Sequence, residues 1–556
     1  MHTTIFSGSI FGVQGMTVEV EIDIARGIPA FSIVGLPNAE VRESRERVTA
    51  AIKNTGLKFP LERITVNLAP AAIKKEGAAF DLAIAVGIVL TAARKRSRRS
   101  GKDALPFIGQ KTLFLGELTL GGGIRRVKGV LPILLHARER GFTRAVIPRD
   151  NFPESQVVSG IEVFGVQTLQ DVLGLLAVDD DSGAVEKGLR LTMASAFMFH
   201  RSPESAGVVH KRRDETRSIP ENDLRPSLAE RGDMKEVCGQ ESVKRALLVA
   251  AAGGHHVLMV GPPGSGKTML AKRFASILPP LDEQRAIETT MIYSTAGLLN
   301  GAGLVTFSPF RAPHHSASDA GLIGGGGVPR PGEVTLAHNG VLFLDEFPEF
   351  KRHVLETLRE PLEEGRITIS RAKSAVTFPA RFQLIAAMNP CPCGYRGQSG
   401  EECRCPRLHI ERYAGKVSGP LLDRISIHMF VRPVEVAAFK GRRDGDSSAT
   451  MREEVTRARG IQQRRNPSAL GHGTIDRKVT VLNGRLPVKS IRELCRLDAA
   501  GEDLLAKGQR QLKISARGRN QVLRVARTIA DLEAAEWITT DHLAEAIQYR
   551  MREFPL

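Results

Sequence analysis

Residues 261–268 constrain the fold more than any other part of this sequence, because they read Gly-Pro-Pro-Gly-Ser-Gly-Lys-Thr. This is a complete G-x-x-x-x-G-K-[ST] phosphate loop. An apolar run over 257–260 precedes it and a helix-forming stretch over 269–278 follows it. The pattern predicts a buried strand, a glycine-rich turn and a helix whose N-terminal N–H groups bind a nucleotide polyphosphate. The chain is therefore predicted to be an α/β protein that binds a nucleoside triphosphate.

The loop predicts a role for each of its residues. Lys267 would reach the β- and γ-phosphates of ATP, and the hydroxyl of Thr268 would hold Mg²⁺. The remaining residues would surround the phosphates with backbone N–H groups. The complete set of predicted nucleotide contacts in the loop is Gly261, Pro262, Pro263, Gly264, Ser265, Gly266, Lys267 and Thr268.

Two adjacent carboxylates end a second apolar run, 341–344, which is followed by Asp345 and Glu346. At the carboxyl edge of a parallel sheet the first acid can bind Mg²⁺ through its water shell. The second can orient and polarise the water that attacks the γ-phosphate. The alternative is a strand end followed by a helix N-cap. A phosphate loop about 80 residues upstream favours the catalytic interpretation.

Asn389 ends a third apolar run, 382–388. We expect this run to be a strand of the same parallel sheet, between the strands that bear the phosphate loop and Glu346. Asn389 would then be placed to hold the attacking water. Taken alone, it could be only a turn residue before Pro390.

Two arginines are further candidates. Arg424 follows a short helix-forming block, where a neighbouring subunit could receive it, and Arg517 opens an amphipathic helix predicted over 516–532. Arginine suits both positions because its guanidinium stays charged and stabilises the spread-out charge of a transferring phosphoryl group. Read singly, each arginine could equally form a surface ion pair.

The charge balance is the second global feature. The chain carries 78 Lys and Arg against 61 Asp and Glu, a formal net charge of +17. Such a surplus attracts polyanions, and nucleic acid is the obvious candidate, although a solvated basic surface is the alternative. The longest apolar stretch, 82–93, is too short to span a bilayer, and no secretory signal is visible at the N-terminus. We expect a cytoplasmic protein without a membrane partner.

Four segments differ in character. Residues 1–175 mix strand-like and helical patterns, and residues 176–232 are polar and weakly periodic, which predicts a linker with one helix near 184–194. Residues 233–433 alternate helices with buried strands, as in a parallel sheet covered by helices on both faces. Residues 434–556 are predicted to be helical.

These motifs together resemble the YifB/ComM family of Mg-chelatase-like AAA+ proteins, over nearly the whole chain apart from the linker. The resemblance implies an AAA+ P-loop core with a helical lid, preceded by an α+β domain like that of Lon protease (ribosomal S5 domain 2-like). It also implies an ATPase that assembles into a ring, a hexamer stimulated by DNA that drives branch migration during natural transformation. The segments that carry the resemblance are 261–268, 342–346, Asn389, 419–424, 515–517, and a glycine-rich insert at 310–316 and 331–340.

By the same resemblance, Arg424 is the finger that acts on the nucleotide of the neighbouring subunit, and Arg517 is the second sensor. Asp345 and Thr268 are the Mg²⁺ ligands, and Glu346, Lys267 and Asn389 complete the catalytic set.

The N-terminal segment tests the Lon likeness. The block 74–81 is similar to the stretch that holds the nucleophilic serine of Lon, but the position of the serine falls at Ala79 and that of the catalytic lysine near Leu131. Since an alanine methyl cannot be a nucleophile, we expect no peptidase activity. Nearby Lys128 is expected to be a surface or DNA-contacting residue. The basic stretch 94–99 is interpreted as a solvated connector in preference to a DNA contact.

Four of the six cysteines fall within fifteen positions, at Cys391, Cys393, Cys403 and Cys405. Four thiolates on a short loop suit tetrahedral zinc with a structural role, although the spacing is C-x-C and not the commoner C-x₂-C. An incidental thiol cluster and a redox pair are the alternatives. The adjacent histidines His314 and His315 are interpreted as polar loop residues without an acidic partner.

The leading functional hypothesis is a DNA motor fuelled by ATP. The principal alternative is a Mg-chelatase-type motor subunit that remodels a protein partner; the N-terminal domain and the basic charge argue against it. An ATP-dependent protease would need the serine that Ala79 replaces. A scaffold that binds ATP without hydrolysing it is disfavoured by the presence of Glu346.

Overall fold

The computed structural model describes residues 2–71, 75, 77–99, 111–178, 209–211, 232–326, 329–371, 374–397, 402–434, 446–466, 468–470 and 478–550. The helix predicted near 184–194 lies outside these residues. The chain forms two compact units. The first comprises Met1–Leu224 with Thr290–Val305, and the second comprises Arg225–Thr289 with Thr306–Leu556. The first unit therefore includes a short segment from the part of the sequence that was assigned to the ATPase core.

The first unit is built on a mixed eight-stranded sheet with the strand order β10-β9-β8-β5-β1-β2-β4-β3. Strand β2 pairs antiparallel with both β1 and β4, while β5, β8 and β9 run parallel to one another. Strands β6 and β7 form a separate small hairpin. The strands are β1 His2–Phe11, β2 Gln14–Ala25, β3 Ala30–Val34, β4 Arg63–Ala69, β5 Thr112–Phe114, β6 Glu117–Leu118, β7 Ile124–Arg125, β8 Arg144–Pro148, β9 Glu162–Val166 and β10 Val209–Lys211.

Helices pack against this sheet and bury apolar side chains in the core of the first unit. The side chains of β2 and β4 alternate between buried and partly exposed positions, as expected of a sheet with one face on a core. Within the first unit the helices are Ala39–Asn54, Asp81–Arg99, Val130–Glu139, Phe152–Ser155 and Leu169–Val178. The basic stretch 94–99, which was expected to be a connector, instead forms the last turns of the second of these helices. The helix begins in the apolar run and extends through the basic residues, because no glycine or proline lies among them to end it.

The second unit contains a five-stranded parallel sheet with the order β12-β15-β18-β11-β19. All side chains of β11, β15 and β18 are buried, which matches the uninterrupted apolar runs in the sequence. The predicted fold class, a parallel sheet with helices on both faces, is confirmed. The strands are β11 Val257–Val260, β12 Phe310–Arg311, β15 Val341–Leu344, β18 Gln383–Met388 and β19 Ile427–Phe430.

Helices surround this sheet and continue into the C-terminal part of the unit. Buried residues of the sheet and of the C-terminal helices form one apolar core, in which Phe274 and Phe343 share a cluster with Val522 and Ile529. The helices are Glu241–Gly253, Lys267–Phe274, Glu283–Ala296 (of which residues 290–296 belong to the first unit), Asp319–Ile323, Glu333–Leu336, Arg352–Thr357, Arg359–Glu364, Arg407–Ala414, Gly419–Leu422, Ser448–Arg465, Val488–Leu494, Ala499–Gln511, Ala516–Leu532 and Thr540–Gln548.

The amphipathic helix predicted over 516–532 is confirmed, with the side chain of Ser515 accepting a hydrogen bond from the backbone N–H of Gly518 as its N-cap. The C-terminal segment is not helical throughout, however. Strands β20 Ser468–Leu470 and β21 Lys478–Thr480 form an antiparallel hairpin. Pro467 in the sequence disfavours helical backbone at the residue before it, which explains why the helix Ser448–Arg465 ends there.

The second unit has two further antiparallel hairpins: β13 Gly324–Gly325 with β14 Arg330–Pro331, and β16 Arg366–Arg371 with β17 Ser374–Pro379. Both of the new hairpins belong to the segments between β12 and β18. Among the described residues, no helix is both long enough and apolar enough to cross a bilayer.

Candidate nucleotide site

The phosphate loop leaves the carboxyl end of β11 and opens the helix Lys267–Phe274, as the motif predicts. Gly264 and Gly266 have φ angles of 76° and 90°, a left-handed region in which residues with a Cβ are strained. Strand, turn and helix together direct the loop's backbone toward one point at the sheet edge. This local geometry is the reason for glycine at these two positions.

Lys267 is buried against its own loop. Its Nζ donates hydrogen bonds to the carbonyl oxygens of Gly261, at 2.7 Å, and Pro262, at 2.8 Å. It also lies 3.3 Å from Oδ1 of Asn389. Burial lowers the pKa of Lys267 from its ordinary value, while the nearby carboxylate of Asp345 opposes that shift. The amine is thus held at the loop by contacts that phosphate oxygens could replace.

The predicted magnesium ligands lie in contact. The hydroxyl of Thr268 donates to Oδ2 of Asp345 over 2.6 Å, which joins the end of the phosphate loop to the end of β15. The other oxygen, Oδ1, accepts a hydrogen bond from the backbone N–H of Glu346 at 2.9 Å. Hydroxyl and carboxylate oxygens are the ligands that Mg²⁺ prefers, so the donor set fits that ion.

Glu346 itself is exposed, and its backbone has a φ of 50°, unusual for a residue with a side chain. Such strain is found where a side chain must be presented in a particular direction. Since β18 lies between β11 and β15, the carboxyl ends of three parallel strands bring Lys267, Asn389 and Glu346 to one edge of the sheet. The sequence predicted this order of strands.

His315 is a contact that the sequence reasoning missed. Its Nδ1 lies 2.9 Å from Oε2 of Glu346, so the statement that this histidine lacks an acidic partner was wrong. Its ring also packs edge-on against Phe350, with the ring centroids 6.4 Å apart. Because β12 runs parallel to β15, the chain leaving β12 emerges at the same sheet edge as Glu346, but a strand of two residues gives no signal for this pairing in the sequence.

Replacing His315 with Ala is expected to raise the rate of ATP hydrolysis, measured without DNA, by about two- to fivefold. The reason is that the hydrogen bond from His315 occupies one oxygen of Glu346, the proposed base, and a bond of this kind is worth about 1 kcal/mol. Steady-state phosphate release measures this effect. His314→Ala is the matched control, since Nδ1 of His314 faces the hydroxyl of Ser316. Unchanged or lower hydrolysis in His315→Ala alone would show that the contact does not restrain Glu346.

The two candidate arginines converge on one acidic residue. Arg424 and Arg517 each place Nη2 against Oε1 of Glu363, at 2.7 Å and 2.5 Å. They differ in exposure: the side chain of Arg424 is 7% exposed, whereas that of Arg517 is 49% exposed. Nη1 of Arg424 also donates to the carbonyl oxygen of Pro420. The sequence motif identified both arginines but not Glu363, which lies in the helix Arg359–Glu364.

The four cysteines that are clustered in the sequence also lie close together in the structure. Their sulfur atoms all lie within 4.8 Å of one another. Cys391 is buried and the other three are partly exposed. This arrangement fits a closed four-thiolate metal site, in which the protein supplies all four ligands.

The residues tested for the Lon likeness lie in the first unit. Leu131 is buried in the helix Val130–Glu139, and its backbone N–H is hydrogen-bonded to the carboxylate of Glu154. Lys128 is exposed, while Ala79 is partly buried. An aliphatic side chain therefore occupies each position at which the resemblance would require a serine or a lysine.

Three family models match the chain. The one described as magnesium chelatase, subunit ChlI, matches residues 233–439. Those described as subunit ChlI of Mg-chelatase and as its C-terminal part match residues 20–151 and 445–550. The matched residues fall in both compact units.

Curated relatives match over nearly the full length. The competence protein ComM of Haemophilus influenzae is 38% identical over 550 residues, which cover 98% of this chain and 97% of the relative. The protein YifB of Salmonella typhimurium is 38% identical over 541 residues, which cover 97% and 95%. The magnesium-chelatase 38 kDa subunit of Rhodobacter capsulatus is 25% identical over 348 residues, which cover 58% of this chain and 88% of that subunit.

Proposed function

Because this chain belongs to the YifB/ComM family of Mg-chelatase-like AAA+ proteins, we propose that it is an ATPase that drives movement on DNA. The observation that carries the ATPase part is the contact of Thr268 with Asp345 beside Lys267 and Asn389. These four side chains come from three strand ends and form the donor set that a magnesium nucleotide needs.

Each residue has a role in the proposed reaction. Lys267 exchanges its carbonyl contacts for oxygens of the β- and γ-phosphates, and Glu346 accepts the proton of the attacking water. Asn389 orients that water. Thr268 and Asp345 would hold Mg²⁺, which when bound neutralises charge on the phosphates. The arginines act on the charge that develops on the transferring phosphoryl group, Arg424 from a neighbouring subunit and Arg517 within the same chain.

DNA as the partner is supported by charge and by the relatives. The net charge of +17 favours association with a polyanion, and one full-length relative is named a competence protein. Among the described residues, the exposed aromatic side chains are Phe11, Tyr395 and Trp537, so extensive base stacking is disfavoured and we propose contacts to the phosphate backbone. The motor would be a ring, a hexamer by family resemblance. It would act in the cytoplasm as a branch-migration helicase in recombination or natural transformation.

The alternative is a motor subunit that remodels a protein partner, as the similarity to the magnesium-chelatase 38 kDa subunit would suggest. We place it second because that similarity covers 58% of this chain, whereas the similarity to ComM covers 98%. The two proposals share the nucleotide site and differ only in what the motor acts on.

ATP hydrolysis measured with and without a four-way DNA junction tests the proposed partner. We expect severalfold stimulation whose half-maximal DNA concentration rises by at least about tenfold between roughly 50 and 200 mM salt, because phosphate contacts release counterions. Lys267→Ala provides the blank. If Lys267→Ala did not hydrolyse ATP and the wild-type rate did not change on addition of DNA, DNA would be excluded as the partner and a protein partner would be favoured.

We further propose that Cys391, Cys393, Cys403 and Cys405 hold one structural zinc ion. No carboxylate or histidine joins the four sulfurs in the described cluster, so the donor set is the one that zinc prefers in closed sites.

A further inference from the structure

We propose that the four-cysteine site is a brace for the phosphate loop, so that its metal content sets the affinity of the chain for ATP. The inference rests on the nucleotide-binding part of the proposed function and not on DNA as the partner. In this proposal the metal both stabilises the loop that holds it and strengthens ATP binding at the phosphate loop beside it.

The sulfur geometry is close to that of a loaded site. The distances from Cys391 Sγ to Cys393 Sγ and Cys403 Sγ are 3.3 and 3.6 Å, and the last two sulfurs are 3.7 Å apart. Zinc–sulfur bonds of about 2.3 Å in a tetrahedron put the sulfurs about 3.8 Å apart. One ion therefore fits among the four thiolates with little rearrangement of the backbone.

The first pair of cysteines, Cys391 and Cys393, lies directly beside the nucleotide site. Asn389 lies two residues before Cys391, and the carbonyl oxygen of Cys391 accepts a hydrogen bond from the backbone N–H of Gly394 at 3.0 Å. This bond closes a tight turn around Cys393. The position of the turn and the position of Asn389 are therefore fixed together.

Gly394 is where this turn meets the phosphate loop. It is buried with a φ of 88°, and a Cβ on it would lie 2.5 Å from Cδ of Pro263 and 3.8 Å from Cγ of Asn389. The backbone of the cysteine turn thus packs against one residue of the phosphate loop and against the side chain of Asn389. Glycine is required there because any larger residue would push the two loops apart.

The contact continues to the lysine that binds phosphate. Oδ1 of Asn389 lies 3.3 Å from Nζ of Lys267, and the backbone N–H of Gly261 donates to the carbonyl oxygen of Met388 at 3.2 Å. A shift of the cysteine turn would therefore displace both ends of the phosphate loop, at Gly261 and at Lys267. A displacement of about 1 Å would lengthen hydrogen bonds from the loop to phosphate beyond the usual range of about 2.7–3.2 Å and so weaken nucleotide binding.

The second pair of cysteines secures the turn from the other side. Cys405 is followed by Pro406, the N-cap of the helix Arg407–Ala414. In that helix the side chain of Tyr413 is buried, and its hydroxyl lies close to the backbone of Asn389. A metal ion that joins the two cysteine pairs would clamp this helix and the end of β18 together, with Asn389 between them.

Removing the metal ligands tests the inference. Cys403→Ser/Cys405→Ser is expected to lose the one zinc ion per chain that metal analysis finds in the reduced, dialysed wild type. Its affinity for a fluorescent methylanthraniloyl ATP, measured without DNA, should fall by about tenfold. Cys495→Ala, which removes a buried thiol elsewhere in the same unit, should keep the zinc.

Gly394→Ala separates the brace from the metal. This variant should keep its zinc and still bind the nucleotide about tenfold more weakly, because the added methyl displaces Pro263. Gly460→Ala is the matched control, since a Cβ there lies no closer than 3.9 Å to Arg464 in the helix Ser448–Arg465.

If the serine variant does not fold, the wild type is stripped with a chelator and reloaded with zinc chloride, while far-ultraviolet circular dichroism follows its helix content. Recovery of nucleotide affinity on reloading supports the brace. Absence of metal from freshly reduced wild type, or metal-free protein that binds the nucleotide as tightly as the loaded form, would overturn it. These readouts do not involve DNA, so failure of the DNA proposal leaves them unaffected.

Discussion

Glu346→Gln is expected to slow ATP hydrolysis by about a hundredfold or more while leaving nucleotide affinity within about threefold of the wild type. The amide keeps the size of the carboxylate but cannot take the proton of the attacking water. Lys267, Thr268 and Asp345, which carry the phosphate and magnesium contacts, are unchanged in this variant. Single-turnover hydrolysis and equilibrium binding of the fluorescent nucleotide measure the two effects separately.

Lys267→Ala is the informative comparison, because it should lose both binding and hydrolysis. Its buried amine makes the hydrogen bonds to Gly261 and Pro262 that phosphate oxygens would replace. If Glu346→Gln hydrolysed ATP at the wild-type rate, the base would have to be another residue. If it lost nucleotide binding as completely as Lys267→Ala, Glu346 would act in binding and not in catalysis.

Arg424→Ala is expected to reduce hydrolysis by about a thousandfold, as found for arginines that stabilise phosphoryl transfer. Because the proposal places this arginine at the nucleotide of the next subunit, mixing Arg424→Ala with Lys267→Ala should restore part of the activity. Each mixed interface can combine an intact phosphate loop with an intact arginine. The same mixture made with Arg517→Ala should not recover, since that residue is proposed to act within its own chain.

The ion pair with Glu363 provides a control for this prediction. If Arg424 acts only by holding Glu363, then Glu363→Gln should lose as much activity as Arg424→Ala. If Arg424 acts on the nucleotide, Glu363→Gln should retain hydrolysis because it removes a competing partner of the guanidinium. Failure of the mixed subunits to recover, together with an inactive Glu363→Gln, would contradict the finger role.

The sequence was most informative where local pattern and burial coincide. Both faces of the parallel sheet are covered by helices, so strands β11, β15 and β18 are buried throughout. Uninterrupted runs of apolar residues therefore identified these strands in the sequence, together with the functional residues that follow them. Asn389 could be placed between Lys267 and Glu346 on that basis. The glycine-rich loop added positions for phosphate contacts, since its motif has one backbone geometry.

What the sequence did not reveal depends on contacts between distant segments. His315 belongs to a loop without periodicity, and only the pairing of β12 with β15 brings it to Glu346. Glu363 lies in a short helix with other acidic residues nearby, so nothing in the local pattern marks it as the partner of two arginines. Such contacts follow from tertiary packing, which propensity and spacing do not encode.

Branch migration of a four-way DNA junction with homologous arms, measured by the appearance of the two resolved duplexes, tests most directly whether the protein moves DNA. We expect products with the wild type and ATP, and none with a non-hydrolysable ATP analogue or with Glu346→Gln. Vigorous ATP hydrolysis by the wild type with no movement of the junction, at low as well as moderate salt, would contradict the claim that this ATPase is a DNA motor.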